Sequence, residues 1–578
     1  MVIFDEVDAN LDAQYRTAVA SLLQSISQDA GTQFICTTFR PEIVHVADKC
    51  YGVTFHSKTS SIDCVPTEEA LSFVEGVAAG NSPARHTMAS LTTLPNELLN
   101  AILLEIPAAD LVSLTQTCRN LRSVSLPLAY RDIAITSNGS TNDRLPRIIL
   151  LLRTVLESPR LTGHIKSLRL FTGEVRRSDT LAHERAEILT KWNGPPLLAG
   201  DMSGTLVRKA VHETQSSCAA EWITAIFDGD LAAASALILA HCEQLESLTV
   251  DHEFARQGAK WLAAVFRHGL GALKDDTRPP TFSNLTKLDI TCYPRRDVPH
   301  YWDHISKELF MLSLYLPKIK SLRLGRTPRI DAWDDVAQRF DVAWPFPAAP
   351  GAASLTSLRL DRSATTFSGI EELLKRTPNL RSFYLDNFFP ETYRQDSRIL
   401  RQALQHVRRT LLHLTIKYKV TSEDYPDADS LVYLVCGSLD SLRDLEVLEE
   451  LDVALCVFYG QDRDLQALPP LSEGLPPKLK RFTVNDSLWG YNTFYEWPTR
   501  VYVPLLRAFL GGGWRTGTPQ LQEFALDARW LWNGTDHELT HDMRGLRKVC
   551  EEQGLKCTLP DYMDDDEFLA EAEGPFMS

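Results

Sequence analysis

Three textures of hydrophobic and polar positions follow one another along this chain. Residues 1–76 alternate short apolar runs with amphipathic stretches, an α/β texture. Val2-Ile3-Phe4-Asp5-Glu6 reads as an apolar strand ending in two carboxylates. A helix follows from Ala13 to about Ser27, then a strand at Gln33-Phe34-Ile35-Cys36. Residues 77–90 are small and polar and read as a linker. Residues 91–135 are helical. Leu94-Pro95 stands at a helix start, where a proline loses no needed hydrogen bond. Leu98, Leu99, Ile102 and Leu103 then form a wide apolar helix face. Ile106-Pro107 breaks that helix. Asp110 is placed to cap the next, which carries Leu111, Leu114, Cys118 and Leu121. Residues 561–578, rich in Asp and Glu, read as a disordered tail.

Residues 136–560 carry a string L-x-x-L-x-L, with conservative replacements, ten times. It begins at Ile165, Leu245, Leu285, Ile319, Leu355, Leu380, Leu411, Leu448, Leu479 and Leu521, at intervals of 25 to 80 residues. Helical stretches lie between some copies, clearest in Gly369-Ile370-Glu371-Glu372-Leu373-Leu374-Lys375-Arg376. Strand plus helix at a recurring interval predicts a solenoid. The pattern resembles leucine-rich repeats, in a degenerate form, because most intervals exceed the roughly 20–29 residues of that family. The expected fold class is therefore α/β: a partial N-terminal α/β lobe, a small helical domain and an irregular strand-helix solenoid. The longest insertion is residues 171–240, whose end, from Ala219 to Cys242, reads as one buried helix.

Alternate residues of a strand face opposite ways. The residues two and four after each first leucine are thus expected on a concave face. Early copies place Arg169, Lys287, Arg323 and Arg359 there, and later copies Glu450, Asp452 and Glu523. Such a face would run from basic to acidic and orient a partner of opposite polarity. Trp489, Trp497, Trp514, Trp530 and Trp532 are expected in the core and the end cap.

Composition narrows the function classes. A length of 578 residues suggests two to four domains. The net charge of −15 argues against a general polyanion binder. Residues 1–80 hold four Lys/Arg and eleven Asp/Glu; residues 561–578 hold seven Asp/Glu and no Lys/Arg; the body between them nets −1. No run approaches 18 apolar residues, so no membrane span is expected. The first residues lack a basic start and a long apolar stretch, so no signal peptide is expected. The eleven cysteines contain no C-x-x-C pair and read as free thiols in a reducing compartment. No G-x-S-x-G or H-E-x-x-H occurs, and the body is not expected to be an enzyme.

FDEVDANLDAQYRTAVASLL, followed by QFICTTFRPEIVHVADKCYGVTF, closely resembles the C-terminal end of structural maintenance of chromosomes (SMC) proteins, specifically the third SMC subunit of cohesin. The resemblance covers about residues 2–76. It implies that Asp5 is the Walker B magnesium acid and Glu6 the catalytic acid. It places a D-loop at Ala9-Asn10-Leu11-Asp12 and a switch residue near Thr38-Phe39-Arg40. A working site of this kind also needs a glycine-rich loop and lysine around the phosphates. No G-x-x-x-x-G-K-[ST] occurs in the chain, and neither Gly511-Gly512-Gly513-Trp514 nor Leu471-Ser472-Glu473-Gly474 substitutes for a missing loop. Residues 1–76 are thus expected to be unable to hydrolyse ATP alone. ATP and magnesium enter only if another polypeptide completes the lobe.

The string L-P-x-E-L-L-x-x-I-L…I-P-x-x-D-L…L-x-x-T-C-R-x-L-R within residues 91–135 resembles the F-box. The trailing P-L-A-Y-R-D-I resembles its fungal members. Leu121 stands where many F-boxes carry tryptophan, and the position stays apolar. The resemblance implies docking to a Skp-type adaptor and, through it, to a cullin ubiquitin ligase. Leu94, Pro95, Leu98, Leu99, Ile102, Leu111 and Leu114 are the expected contacts, some of which must instead hold the helices together. The function expected is a substrate receptor of such a ligase, in nucleus or cytoplasm. The alternative is a chromosome-associated ATPase fragment with cohesin partners and chromatin. The join reads either as a genuine fusion or as two adjacent genes read as one.

Overall fold

A computed structural model describes residues 2–5, 13–30, 34–38, 40–56, 59–78, 94–137, 145–172, 202–271, 282–291, 304–334, 339–390, 395–421, 435–460, 468–485, 487, 501–527 and 537–559. The expected acidic tail and residues 79–90 of the expected linker lie outside these. The chain divides into two compact units, residues 1–126 and 127–578.

In the first unit, β1 (Val2–Asp5) pairs in parallel with β2 (Phe34–Thr37), and α1 (Ala13–Ala30) supplies the crossover such a pair needs. After α2 (Pro41–His45), β3 (Cys50–His56) and β4 (Thr59–Val65) form an antiparallel hairpin, followed by α3 (Thr67–Ala78). Tyr51, Val53 and Ile62 of the hairpin are exposed. Then come α4 (Asn96–Leu104), α5 (Ala108–Leu114) and α6 (Arg119–Ala129). Pro95 and Pro107 stand at the starts of α4 and α5, and their carbonyls accept the first helical amides, from Leu98, Leu99, Asp110 and Leu111. Asp110, expected as the cap of α5, lies inside its first turn because Pro107 holds the capping position. A carboxylate there still meets the positive end of the helix dipole.

The second unit is built on a twelve-stranded parallel sheet. Its members in chain order are β5 (Asp132–Ser137), β6 (Ser167–Thr172), β7 (Ser247–Asp251), β8 (Lys287–Thr291) and β9 (Ser321–Gly325). After an antiparallel pair, β10 (Asp331–Asp334) and β11 (Arg339–Val342), the sheet resumes with β12 (Ser357–Ser363) and β13 (Ser382–Pro390). Two-residue strands β14 (Gln395–Asp396) and β16 (Val435–Cys436) pair with each other and flank β15 (His413–Thr421) in the chain. β17 (Glu450–Val453), β18 (Arg481–Asn485), β19 (Glu523–Asp527) and β20 (Lys556–Thr558) complete the sheet. Its first strand begins at Asp132, inside the segment read as helical.

All ten leucine strings lie on this sheet, and each enters it in the same way. The first residue of each string donates its amide to a carbonyl three or four residues earlier, such as Leu285 to Phe282 and Leu380 to Thr377. In nine of the ten the next residue's carbonyl then accepts two amides from the following strand, and in the last Gln522 accepts one, from Lys556. Lys166 accepts from Glu246 and Ser247, Thr356 from Arg381 and Ser382, and Glu449 from Lys480 and Arg481. The second apolar positions stand side by side in register: Leu168, Leu248, Leu288, Leu322, Leu358, Phe383, Leu414, Leu451, Phe482 and Phe524. None of them exceeds 1% exposure. Burial of each such side chain is worth about 1.5–3 kcal/mol, so this row contributes substantially to the sheet's stability.

The insertion before β7 departs from the sequence reading. Ala219 to Cys242 is two helices, Ala219–Phe227 and Leu231–Ala240. Gly229 takes φ +84 between them, and the Asp230 carboxylate caps the second by accepting from the amides of Ala232 and Ala233. Every residue from Leu231 to Leu239 is buried. Of the C-terminal tryptophans, Trp514 packs against the core and is half-buried. Trp489, Trp497, Trp530 and Trp532 lie outside the described residues.

Candidate functional site

The helical segment separates the expected adaptor contacts into two groups. Leu99 and Leu103 of α4 are 0% exposed and Leu111 of α5 is 5% exposed; these are core residues. Leu98 and Ile102 are 48% and 44% exposed. They stand one turn apart and so share a helix face. Pro95 is exposed, and Leu94 and Leu114 are half-buried. Leu104 and Val112, not among the expected contacts, are 54% and 48% exposed. The periodicity marked one wide apolar face; burial splits it into an inner half and an outer half. Leu121 is buried, which explains why an apolar residue serves there.

The charged residues expected on the sheet lie on the strands in register, on the face opposite the leucines. One row holds Arg169, Thr249, Asp289, Arg323, Arg359, Tyr384, Thr415 and Asp452. The row two residues earlier holds Lys287, Glu450, Arg481 and Glu523. This face is not graded from basic to acidic. Asp289 stands among the early arginines, and Arg481 stands between Glu450 and Glu523. Arg323 Nε lies 3.9 Å from Asp289 and donates to Asp361 Oδ2 at 2.7 Å. Arg359 Nε reaches the same Asp361 carboxylate at 2.9 and 3.1 Å, and its guanidinium carbon sits 3.8 Å from the Tyr384 ring centroid. Arg481 lies 3.5 Å from Glu450 and 3.1 Å from Glu523. Asp289 is held above its usual carboxylate range by burial, which outweighs the nearby Arg323. Glu523 is held below it: burial works the other way, and hydrogen bonds from Lys556 and Arg481 outweigh it.

Lys417, which the repeat pattern did not single out, ties three strands together. Its Nζ lies 2.7 Å from Asp527 and 3.8 Å from Asp452. Asn485 Nδ2 donates to the same Asp452 at 2.7 Å. Burial lowers the Lys417 ammonium's affinity for its proton, yet the two carboxylates outweigh that and hold it above the usual lysine range. Lys417→Met leaves two carboxylates facing each other. The expected loss is about 2 kcal/mol, less than the about 3–5 kcal/mol of a fully buried broken pair, because Lys417 keeps 27% side-chain exposure. Thermal unfolding measures it. The triple change Lys417→Met, Asp452→Asn, Asp527→Asn should recover most of the loss; no recovery would mean that the triad is not what Lys417 stabilises.

At the N-terminal end, Asp5 is the last residue of β1, in register with Thr37. Thr38 Oγ1 accepts the amide of Arg40 at 3.0 Å. Glu6 and residues 9–12 lie outside the described residues. A nucleotide would need a phosphate loop with its lysine, and the chain contains no such string. Among the described residues no group of three His, Cys, Asp or Glu could hold a metal ion. No described helix is long and apolar enough to cross a membrane.

Residues 1–61 match the family described as the RecF/RecN/SMC N terminal domain, and residues 91–136 match the F-box-like family. This chain joins an SMC-type segment to an F-box-like one. Over 73 residues the chain is 68% identical to the Chromosome segregation protein sudA of Emericella nidulans. Over the same length it is 53% identical to the Structural maintenance of chromosomes protein 3 of Arabidopsis thaliana and 55% identical to that of Caenorhabditis elegans. Each match covers 13% of this chain and 6% of the relative, so the chain spans a small fraction of the relatives' length. Two unrelated matches at adjacent positions are consistent with a fusion.

Proposed function

We propose that this chain is the substrate-recognition subunit of a Skp-cullin-F-box type ubiquitin ligase. One observation carries the reading: the F-box-like match falls on a helix whose outer face exposes Leu98 and Ile102 while its inner face is buried. An apolar helix face of this kind suits a groove on a Skp-type adaptor, and the adaptor would link it to a cullin. The twelve-stranded sheet with its leucine row is read as a degenerate leucine-rich-repeat solenoid. Its polar face would hold a protein substrate, with Arg169, Lys287, Arg323, Arg359, Glu450, Asp452 and Glu523 on that surface. The body would be a binding module without a cofactor, acting in nucleus or cytoplasm. Co-purification of the intact chain with a Skp-type adaptor tests this; absence of association removes it.

The 68% identity to sudA over 73 residues favours a second reading, in which the first segment acts with cohesin-type partners on chromatin. Asp5 and Glu6 would then serve an ATP and magnesium site completed by another polypeptide. The first reading expects no ATP turnover by the purified chain, and no change on Glu6→Gln. A phosphate-release assay decides: turnover that Glu6→Gln abolishes would establish the second reading.

A further inference from the structure

We propose that Arg323 and Arg359, held side by side by Asp361, form a carboxylate-binding site on the polar face of the sheet, and that the protein substrate supplies an aspartate or glutamate to it. This rests on the reading of that face as the substrate surface and names the class of segment it takes.

The strand register builds the site. Arg323 of β9 and Arg359 of β12 stand directly beside each other, and Tyr384 of β13 stands beside Arg359. Asp361, two residues after Arg359, shares its face and is 7% exposed. Its neighbour on β9 is Gly325, so no side chain separates its carboxylate from Arg323. Asp361 Oδ2 accepts from Arg323 Nε at 2.7 Å, and Oδ1 accepts from Arg359 Nε at 2.9 Å. One buried carboxylate thus fixes both guanidiniums by the same nitrogen. The Tyr384 ring, 3.8 Å from the Arg359 guanidinium carbon, steadies that group further.

The outer end of each guanidinium is left over. Among the described residues, the terminal nitrogens of Arg323 and Arg359 have no hydrogen-bond partner, and the two side chains keep 37% and 40% exposure. Two terminal nitrogens of one guanidinium present parallel N–H groups that match the two oxygens of a carboxylate. Two residues earlier on the same three strands, Ser321, Ser357 and Ser382 stand in register and half-buried. Their hydroxyls also have no partner among the described residues. They lie about 7 Å from the arginine row, within reach of the main chain of a segment whose acid sits on the arginines. Lys417 and Arg481 offer no such site, because each already lies between two carboxylates.

Charge selects the oxyanion. From β6 to β12 this face carries Arg169, Lys287, Arg323 and Arg359 against Asp251, Asp289 and Asp361, four cations to three carboxylates. An aspartate or glutamate neutralises the single excess charge. A phosphate group, at about −2, overshoots it and meets the Asp289 and Asp361 carboxylates.

The probe is a phage library of random peptides selected on the immobilised intact chain. The recovered peptides should be enriched in Asp and Glu, and changing those acids to Asn and Gln in synthetic copies should weaken binding about tenfold or more. Arg323→Lys and Arg359→Lys keep a charge beside Asp361 but lose the paired N–H groups, and each should weaken the same peptides about tenfold. The double variant Arg323→Gln, Arg359→Gln should return peptides with no acid enrichment. Failure to recover peptides, recovery without acid enrichment, or undiminished affinity in the single variants overturns the proposal. So does tighter binding when phosphoserine replaces the acid. Should the double variant fail to fold, the single variants decide. Adaptor co-purification separates this site from the ligase reading: adaptor binding without an acid preference overturns the site alone, and an acid preference that needs both arginines supports it whether or not the adaptor binds.

Discussion

Replacing Leu98 and Ile102 together by aspartate is expected to weaken binding to a Skp-type adaptor by about a hundredfold or more. The helical circular dichroism of the chain should not change. Each of these side chains is nearly half exposed, so removing it takes little from the fold. In an apolar groove each would contribute about 1.5–3 kcal/mol. Since every 1.4 kcal/mol is about a factor of ten, losing both accounts for the expected drop before the cost of burying two carboxylates is added. Leu99→Asp is the contrasting control. That side chain is 0% exposed, so a charge there should unfold the helix and lose binding for a different reason. Calorimetric titration with the adaptor measures the first effect and circular dichroism the second. Unchanged affinity of the exposed-face variant would remove α4 from the contact.

Trp222→Ala is expected to destabilise the second unit by about 3–5 kcal/mol, as for other large aromatic truncations in a core. Trp222 is 0% exposed and stacks on Trp261 with ring centroids 5.9 Å apart and planes 20° apart. Its Nε1–H donates to the Ala233 carbonyl at 2.9 Å, inside the buried helix that follows. The change therefore opens a cavity and also removes a second donor from a buried carbonyl. A loss of this size is a large part of the about 5–15 kcal/mol that usually holds a domain together. The urea midpoint measures it. Trp222→Phe, which keeps the ring but not the donor, should lose about 1–3 kcal/mol. A loss below about 1 kcal/mol for the alanine variant would show that the insertion contributes little to the sheet.

The elements that repeat were legible because leucine spacing is local. Ile165, Leu245 and their counterparts each begin a string visible in six residues, and all ten strings lie on the sheet. The partners across strands were not legible. Asp361 binds both Arg323 and Arg359, yet it lies six residues after the first leucine of its own string, one position beyond those assigned to the face. Lys417 occupies the same place in its string. Which charges meet depends on stacking copies that lie dozens of residues apart, and no short window contains that. The turn at Gly229 was hidden because Leu231 to Leu239 is apolar on every side and carries no helical period. The division of Leu98 and Ile102 from Leu99 and Leu111 needed burial, since all four are equally apolar.

The doubled carbonyl at every strand entry but the last has a consequence for how this chain can change. Because Lys166 receives both Glu246 and Ser247, the alignment of two neighbouring strands is decided at one joint, a few atoms wide. What the chain does between joints does not enter that alignment. The 80 residues separating Ile165 from Leu245 and the 25 separating Leu355 from Leu380 arrive at the same connection. The entropic cost of a longer excursion rises only slowly with its length. New segments can therefore be inserted between any two strands, and new binding surface acquired there, while every strand keeps its neighbour and its leucines keep their row.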